Sequence, residues 1–313
     1  MAAMTTSDVR PPTLPSGTGR AGLRGAIASE FTKLRSVRST YWTLAALLIV
    51  SVGAGAAVIA GESSALTANP ANKVGFDGTQ ASLIPFFQGG QLIIGVLGAL
   101  TVTAEYSTGM IRASLVAQPR RGVVYTAKAM VFAGATLVIS LLTSFTAFFV
   151  GQAMVAGTGV GASLLGNVKV PANAIVKGAS WPGRPARSDV AGTQVISASS
   201  VLSAVVGTAL FVTLVAIIAF SLGAIIRHTA GTITSVIGIM FVVPILIQTL
   251  PNDWSWDLAR FFPDAAGRVI SVANRTPGAY AHLWPAWPQM IVTACYAAGL
   301  FAIGAYLFKK RDA

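Results

Sequence analysis

Charge is scarce in this chain. Of 313 residues only 22 are Lys or Arg and 10 are Asp or Glu, where a soluble globular domain would be about 25% charged. So few charges cannot build a water-facing surface for a 32.2 kDa globule, and a soluble enzyme is excluded on that ground. Cysteine occurs once, at Cys295, so neither an internal disulfide nor a cysteine-rich metal site is available. In its apolar stretch Cys295 reads as a small buried hydrophobe. Only two histidines are present, His228 and His282, which leaves no material for an HExxH or a Ser/His/Asp arrangement. No Lys is followed by Ser or Thr, so the phosphate loop GxxxxGK[ST] is absent despite 32 glycines. The chain reads as no enzyme in itself and as holding no cofactor.

What the chain has in abundance is apolar surface. Hydrophobic residues make up 54% of it and the mean hydropathy is +0.69. Six segments contain no Asp, Glu, Lys, Arg or His: 41–60, 82–104, 129–154, 198–226, 229–250 and 286–308. Each is long enough to cross a hydrocarbon core of about 30 Å at roughly 1.5 Å per residue. Continuous apolar runs favour helices over the alternating strands of a barrel. The expected class is therefore an all-α integral membrane protein. It divides into a disordered tail over 1–22, an amphipathic interfacial helix over 23–40 and a six-span membrane domain over 41–313. The fourth run exceeds the required length, which calls for tilt or a later start than Ala198.

The basic residues choose an orientation. With the N-terminus inside, 14 basic residues lie inside and 8 outside, so the positive-inside rule places both termini in the cytoplasm. Lys169, Lys177, Arg184 and Arg187 in one outer loop run against that count. The formal net charge of +12 is then a topology signal facing anionic headgroups, and nucleic acid is not an expected partner. Residues 1–22 have no apolar periodicity and come before a run too long for a signal peptide's core.

Three polar segments carry recognisable patterns. Leu23, Ile27, Phe31, Leu34 and Val37 recur at helical spacing, with Arg24, Lys33, Arg35 and Arg38 on other faces, so this helix suits the headgroup plane. The loop 105–128 stops a helix at Gln118-Pro119. In it Met110, Ile111 and Leu115 make a small apolar face beside Arg112, Arg120 and Arg121. That face reads equally as knobs for a cytoplasmic partner or as a plain basic stop signal. After the fifth span, Trp254, Leu258, Phe261, Phe262, Ala265 and Val269 fall on one side. Asp257, Arg260, Asp264 and Arg268 fall on another, and Pro263 divides two short helices. This segment with Trp284 and Trp287 reads as an aromatic belt or as a lid over an exit.

Within the spans, Thr136, Ser140, Thr143, Ala147 and Gly151 form one stripe, suited to close helix packing or to a mildly polar path. Gln88 and Gln91 are costly in lipid and should face protein or a cavity. Pro244 should kink the fifth span.

The segments EFTKLRSVRSTYWTL (30–44), AEYSTGMIR with QPRR and Lys128, FFPDAAGRVIS and the terminal FKKRDA together resemble the permease subunits of ABC-2 type transporters. The likeness runs from about Ala28 to Ala313. It implies an N-terminal elbow helix containing Glu30, Phe31, Lys33, Leu34 and Arg38. It also implies a coupling helix around Glu105, Tyr106, Gly109, Met110, Ile111, Arg112, Leu115, Pro119 and Arg121. Two permease chains, alike or related, would work with two separate ATP-binding subunits that hold ATP and magnesium, in a bacterial cytoplasmic membrane. The Gly-rich loop 155–197 is longer than in many such permeases. The expected function is ATP-driven export of an amphiphilic substrate. An ion-coupled carrier and a non-transporting membrane anchor or sensor are the alternatives.

Overall fold

A computed structural model describes residues 22–68, 76–156, 158, 161–170, 194–273 and 283–310. The expected disordered tail and most of the Gly-rich loop lie outside these residues. Among the described residues six helical spans are long and apolar enough to cross a membrane, so the chain is a multi-pass, all-α membrane protein. Among the described residues the only strands form a short antiparallel ribbon. It pairs β1 (Val168–Val170) with β2 (Gln194–Ile196), Val168 opposite Ile196.

Helix α1 (Leu23–Ser36) breaks at the extended Val37 before α2 (Arg38–Ala68) begins, so the expected interfacial helix is shorter than 23–40. The second span starts earlier than its charge-free run. Asp77 caps α3 (Gly78–Pro85) by accepting from the amides of Thr79 and Gln80 at 3.0 and 3.1 Å. Pro85 has no N–H to continue the α ladder, and a π-helical turn (Phe86–Gly90) follows before α4 (Gln91–Ser107). Gly109, with φ 71°, turns the chain from α4 into α5 (Met110–Ala117), which stops at Gln118 just before Pro119. The third span, α6 (Arg121–Val155), is much longer than the 129–154 run.

Helix α7 (Ala198–Ile226) fills its whole charge-free run. Its hydroxyl cap is Ser197, and it ends at Arg227 in the left-handed region. The fifth span is α8 (Thr229–Ile237), a π-helical turn (Gly238–Val242) and α9 (Val243–Gln248). The irregular turn lies just before Pro244, where the missing N–H leaves carbonyls unpaired. Pro263 separates α10 (Asn252–Ala259) from α11 (Pro263–Ile270), and α12 (Ala286–Lys310) closes the chain.

The core is organised around α7. Its most apolar stretch is 72% buried inside the chain, against 22% for those of α2 and α12. Small residues let neighbours approach it. A Cβ on Gly98 of α4 would lie 2.9 Å from the Ala216 carbonyl oxygen of α7, and one on Gly223 would lie 3.2 Å from the Ala99 carbonyl oxygen. The stripe on α6 is buried along its length, from Thr136 through Ser140, Thr143 and Ala147 to Gly151. At its far end a Cβ on Gly151 would meet the Ser82 hydroxyl and Ile59. Large apolar side chains such as Ile49, Val138, Leu142, Ile245 and Ile291 lie on the outside, as lipid contact requires. Cys295 is also exposed, not buried as its apolar context implied, because α12 turns that face outward.

Gly98→Val should lower the thermal midpoint in detergent, at an overpacking cost of about 1–3 kcal/mol, because the obstacle is backbone. Gly53→Ala, with open space around its Cβ position, should leave the midpoint unchanged or raised. Equal losses in both variants would show that the α4–α7 contact does not limit stability.

Candidate functional site

The first helix is inverted relative to a soluble amphipathic helix. Its buried residue is Glu30, while Leu23 and Phe31 are exposed, Phe31 by 56%. The reason is a cluster of two carboxylates and two ammonium groups, of which Glu30, Glu105 and Lys128 are buried and Lys33 is 31% exposed. Lys128 Nζ, on the second turn of α6, donates to Glu30 Oε2 and to Glu105 Oε1, each at 2.6 Å. Lys33 Nζ donates to Glu30 Oε1 at 2.7 Å and to Ser114 Oγ at 2.9 Å, and lies 3.3 Å from Glu105 Oε1. Four elements meet there: α1, the end of α4, α5 and the start of α6. The second Glu105 oxygen is buried with no hydrogen-bond partner among the described residues.

The balance of two ammonium groups against two carboxylates is what makes this burial tolerable. Burial pushes the Glu30 carboxyl up, but Lys128 and Lys33 outweigh it and hold the group below its ordinary value of 4.5. For Lys33, burial acts downward, and Glu30 and Glu105 outweigh it and hold the ammonium above its ordinary 10.5.

The resemblance grouped Glu30 and Lys33 with one segment and Glu105 with another; the fold brings all three into one cluster. Lys128 stands at the end of the stretch 105–128 that reads as a loop in the sequence. It is instead a buried helix residue, its signal being a lone lysine on the apolar face that continues into Phe132. Ser114 gave no signal in the sequence. Leu34 is half-buried and Arg38 is exposed at the start of α2. Tyr106 lies under the Arg227 guanidinium, 4.9 Å from its ring centre, tying the end of α4 to the corner between α7 and α8.

On α5 the expected apolar face is divided. Ile111 is 3% exposed and Leu115 packs against the core, so these two hold α5 onto the bundle. Met110, Arg112 and Val116 face outward, Val116 by 83%. The knobs available to a partner are therefore Met110 and Val116, because the cluster pulls the Ile111 side inward.

The opposite end of the bundle carries a second polar knot that the sequence did not disclose. Asp77 Oδ2 accepts from the Ala273 amide at 2.8 Å, joining the start of α3 to the end of α11. Asp264 was assigned to a polar face, yet it is buried and takes Arg268 Nε at 2.7 Å. Burial pushes its carboxyl up despite Arg268 and the nearby Gln91 amide. Nearly all of α11 is buried, and Ile270 fills the space that a Cβ on Gly207 would take. Trp254, Leu258 and Phe261 are exposed. Gln91 is buried and donates to the Phe87 carbonyl. Gln88 is exposed on the surface of this chain, because the π-helical turn sets it off the buried face that holds Gln91. Thr136 Oγ1 and Ser140 Oγ are buried without hydrogen-bond partners among the described residues, and Thr143 bonds its own helix at Ile139.

Compared with known proteins, the chain matches no family model and no curated protein.

Lys128→Met should destabilise the protein by about 3–5 kcal/mol, the cost of stranding buried charge. Adding Glu105→Gln should recover part of that loss, and a double-mutant cycle on thermal midpoints measures it. Glu30 supports folding fully above its ordinary value and loses its contribution as pH falls through its lowered one. Lys33 contributes fully below its ordinary value and loses its contribution as pH rises through its raised one. Attachment of α1 should therefore be flat with pH between 4.5 and 10.5, read by hydrogen exchange of α1. A step near neutral pH would contradict the cluster's charge state.

Proposed function

We propose that the chain is the permease subunit of an ABC-2 type transporter, forming with a second permease chain the path for ATP-driven export of an amphiphilic substrate. The observation that carries this reading is the buried charge cluster, which makes one unit of α1, the α4–α6 connection and the short helix between them. A force applied to the outward side of α5 reaches two spans and α1 through the same four charges. In this reading α1 is the elbow helix and α5 the coupling helix. ATP, with magnesium, binds and is hydrolysed on a separate subunit. Closure of two such subunits pushes on α5, and the spans respond by opening an outward path. Both termini and α5 are cytoplasmic, in a bacterial cytoplasmic membrane. The order of the resembling segments along the chain supports the same assignment.

Met110 and Val116 are the side chains placed to enter a groove on the ATPase, each worth about 1.5–3 kcal/mol if fully buried. Arg112 beside them contributes orientation more than affinity. Met110→Asp with Val116→Asp should abolish co-purification of an ABC ATPase encoded beside this gene, while thermal stability and membrane insertion stay as in the parent. Retained association with full ATP-dependent transport would reduce α5 to a topology signal. Transport that collapses with an uncoupler while ATP stays high would favour the ion-coupled carrier.

Orientation is tested separately. In a Cys295→Ala background, Val116→Cys should label from the cytoplasm and Leu165→Cys, at a residue 98% exposed, from outside. Labelling of both from one side would defeat the six-span arrangement.

A further inference from the structure

Between α1, α2 and α6, on the lipid-facing side of the bundle, lies a groove of about 890 Å³. Apart from the Tyr41 hydroxyl its lining is wholly apolar. Gly134 lies midway along the α6 wall, where a Cβ would meet nothing within 4 Å. The groove follows α2 from Tyr41 to Ile49 and α6 from Met130 to Ile139, a length of about 12–14 Å at roughly 1.5 Å per residue. That is about half of a hydrocarbon core of about 30 Å, the depth of one leaflet. Helix α1 closes the end at which α2 and α6 begin. Its Ile27 and Phe31 belong to the lining, and the bond from Lys128 to Glu30 fixes it just short of Met130. The outward turn of Phe31 thus serves as part of a wall.

The shape of the groove decides between occupants. A span of a second copy, about 10–12 Å across with its side chains, would have to cross the full core, yet α1 stands across one end. Thirteen residues line the groove, whereas a stable protein interface takes about 20–30 residues a side. An acyl chain is thin, apolar along its length and as long as one leaflet is deep. Within lipid, where no hydrophobic force separates chain from span, packing on several sides favours association. This groove offers a chain three walls, where an open span offers one. The head of such a lipid emerges beside α1. Arg35 follows Phe31 by four residues and Arg24 precedes it by seven, so helical spacing puts both on the Phe31 side, and both are exposed. A phosphate there is matched in charge. We infer that the groove is a site for one phospholipid of the leaflet on the α1 side, with an acyl chain between α2 and α6 and the phosphate beside Arg24 and Arg35. The site stands apart from the transport reading, since it needs neither ATPase nor substrate.

The test uses the full chain in vesicles of phosphatidylglycerol and phosphatidylcholine that carry a phospholipid with a photoreactive diazirine midway along one acyl chain. Labelled peptides are identified by mass spectrometry. Label should concentrate on 41–49 and 130–139 over 291–303 of α12, where Ile291 and Ile303 also face outward. Gly134→Trp should lose the groove label, while label on α12 and the thermal midpoint stay as in the parent. Gly134→Ala should keep it, which separates filling of the groove from a change in α6. Gly299→Trp, on α12 where a Cβ likewise meets nothing, should leave the groove label unchanged. Arg24→Gln with Arg35→Gln should reduce it. Equal label on the groove and on α12, or an undiminished groove label in Gly134→Trp, would overturn the site. An undiminished label in the Arg24/Arg35 variant, or labelling by a diazirine fatty acid as strong as by the phospholipid, would make this a slot for any alkyl chain and overturn the phospholipid assignment. Conversion of a dimer into monomers by Gly134→Trp, read by light scattering in neutral detergent, would make the groove an interface between copies, with the same result.

Discussion

Lys128 is the residue on which one end of this molecule depends. Its ammonium group is buried within a membrane helix, a position that is unfavourable unless anions come to it. The two that come, Glu30 and Glu105, arrive from α1 and from the end of α4. Lys33 completes the balance and adds Ser114 of α5 through its third hydrogen bond. Charge neutrality therefore explains why α1 turns a carboxylate inward and Phe31 outward, and why α5 is held by Ile111 and Leu115. A hydrophobic version of the same junction could pack as well. It would not require four elements to be present at once.

The rest of the bundle is held by closeness rather than by charge. In lipid there is little hydrophobic driving force between helices, so contact area and backbone approach decide association. Glycines at 98, 223, 151 and 207 mark where α7 and α6 receive their neighbours. The two π-helical turns lie in the second and fifth spans, each next to a proline. They change which residues face inward partway along a span. The two ends of the molecule differ accordingly. At one, paired charges hold surface helices onto the spans; at the other, α11 is sunk into the bundle, with Asp77 and Asp264 satisfying it locally.

Much of this was legible in the sequence, for a physical reason that can be stated residue by residue. The six spans were readable because transfer into hydrocarbon is summed along one continuous segment. The breaks at Pro119, Pro244 and Pro263 were readable because a missing N–H acts within one turn. The buried stripe from Thr136 to Gly151 was readable because helical periodicity alone puts those side chains on one face. Each of these depends on neighbours only a few residues away.

Tertiary structure decided everything that depended on a distant partner. Glu30 and Lys128 are 98 residues apart in the chain, and nothing local to either says that they meet. Ile111 and Met110 are adjacent and similarly apolar, so only the docking of α5 determines which one faces the core. Gln88 and Gln91 looked alike until the π-helical turn separated them. Asp264 and Asp257 likewise shared one polar face until α11 sank into the bundle with only the first of them. Sequence determines the free energy of a segment in lipid; which of its faces is inside depends on the shape and charge of whatever packs against it.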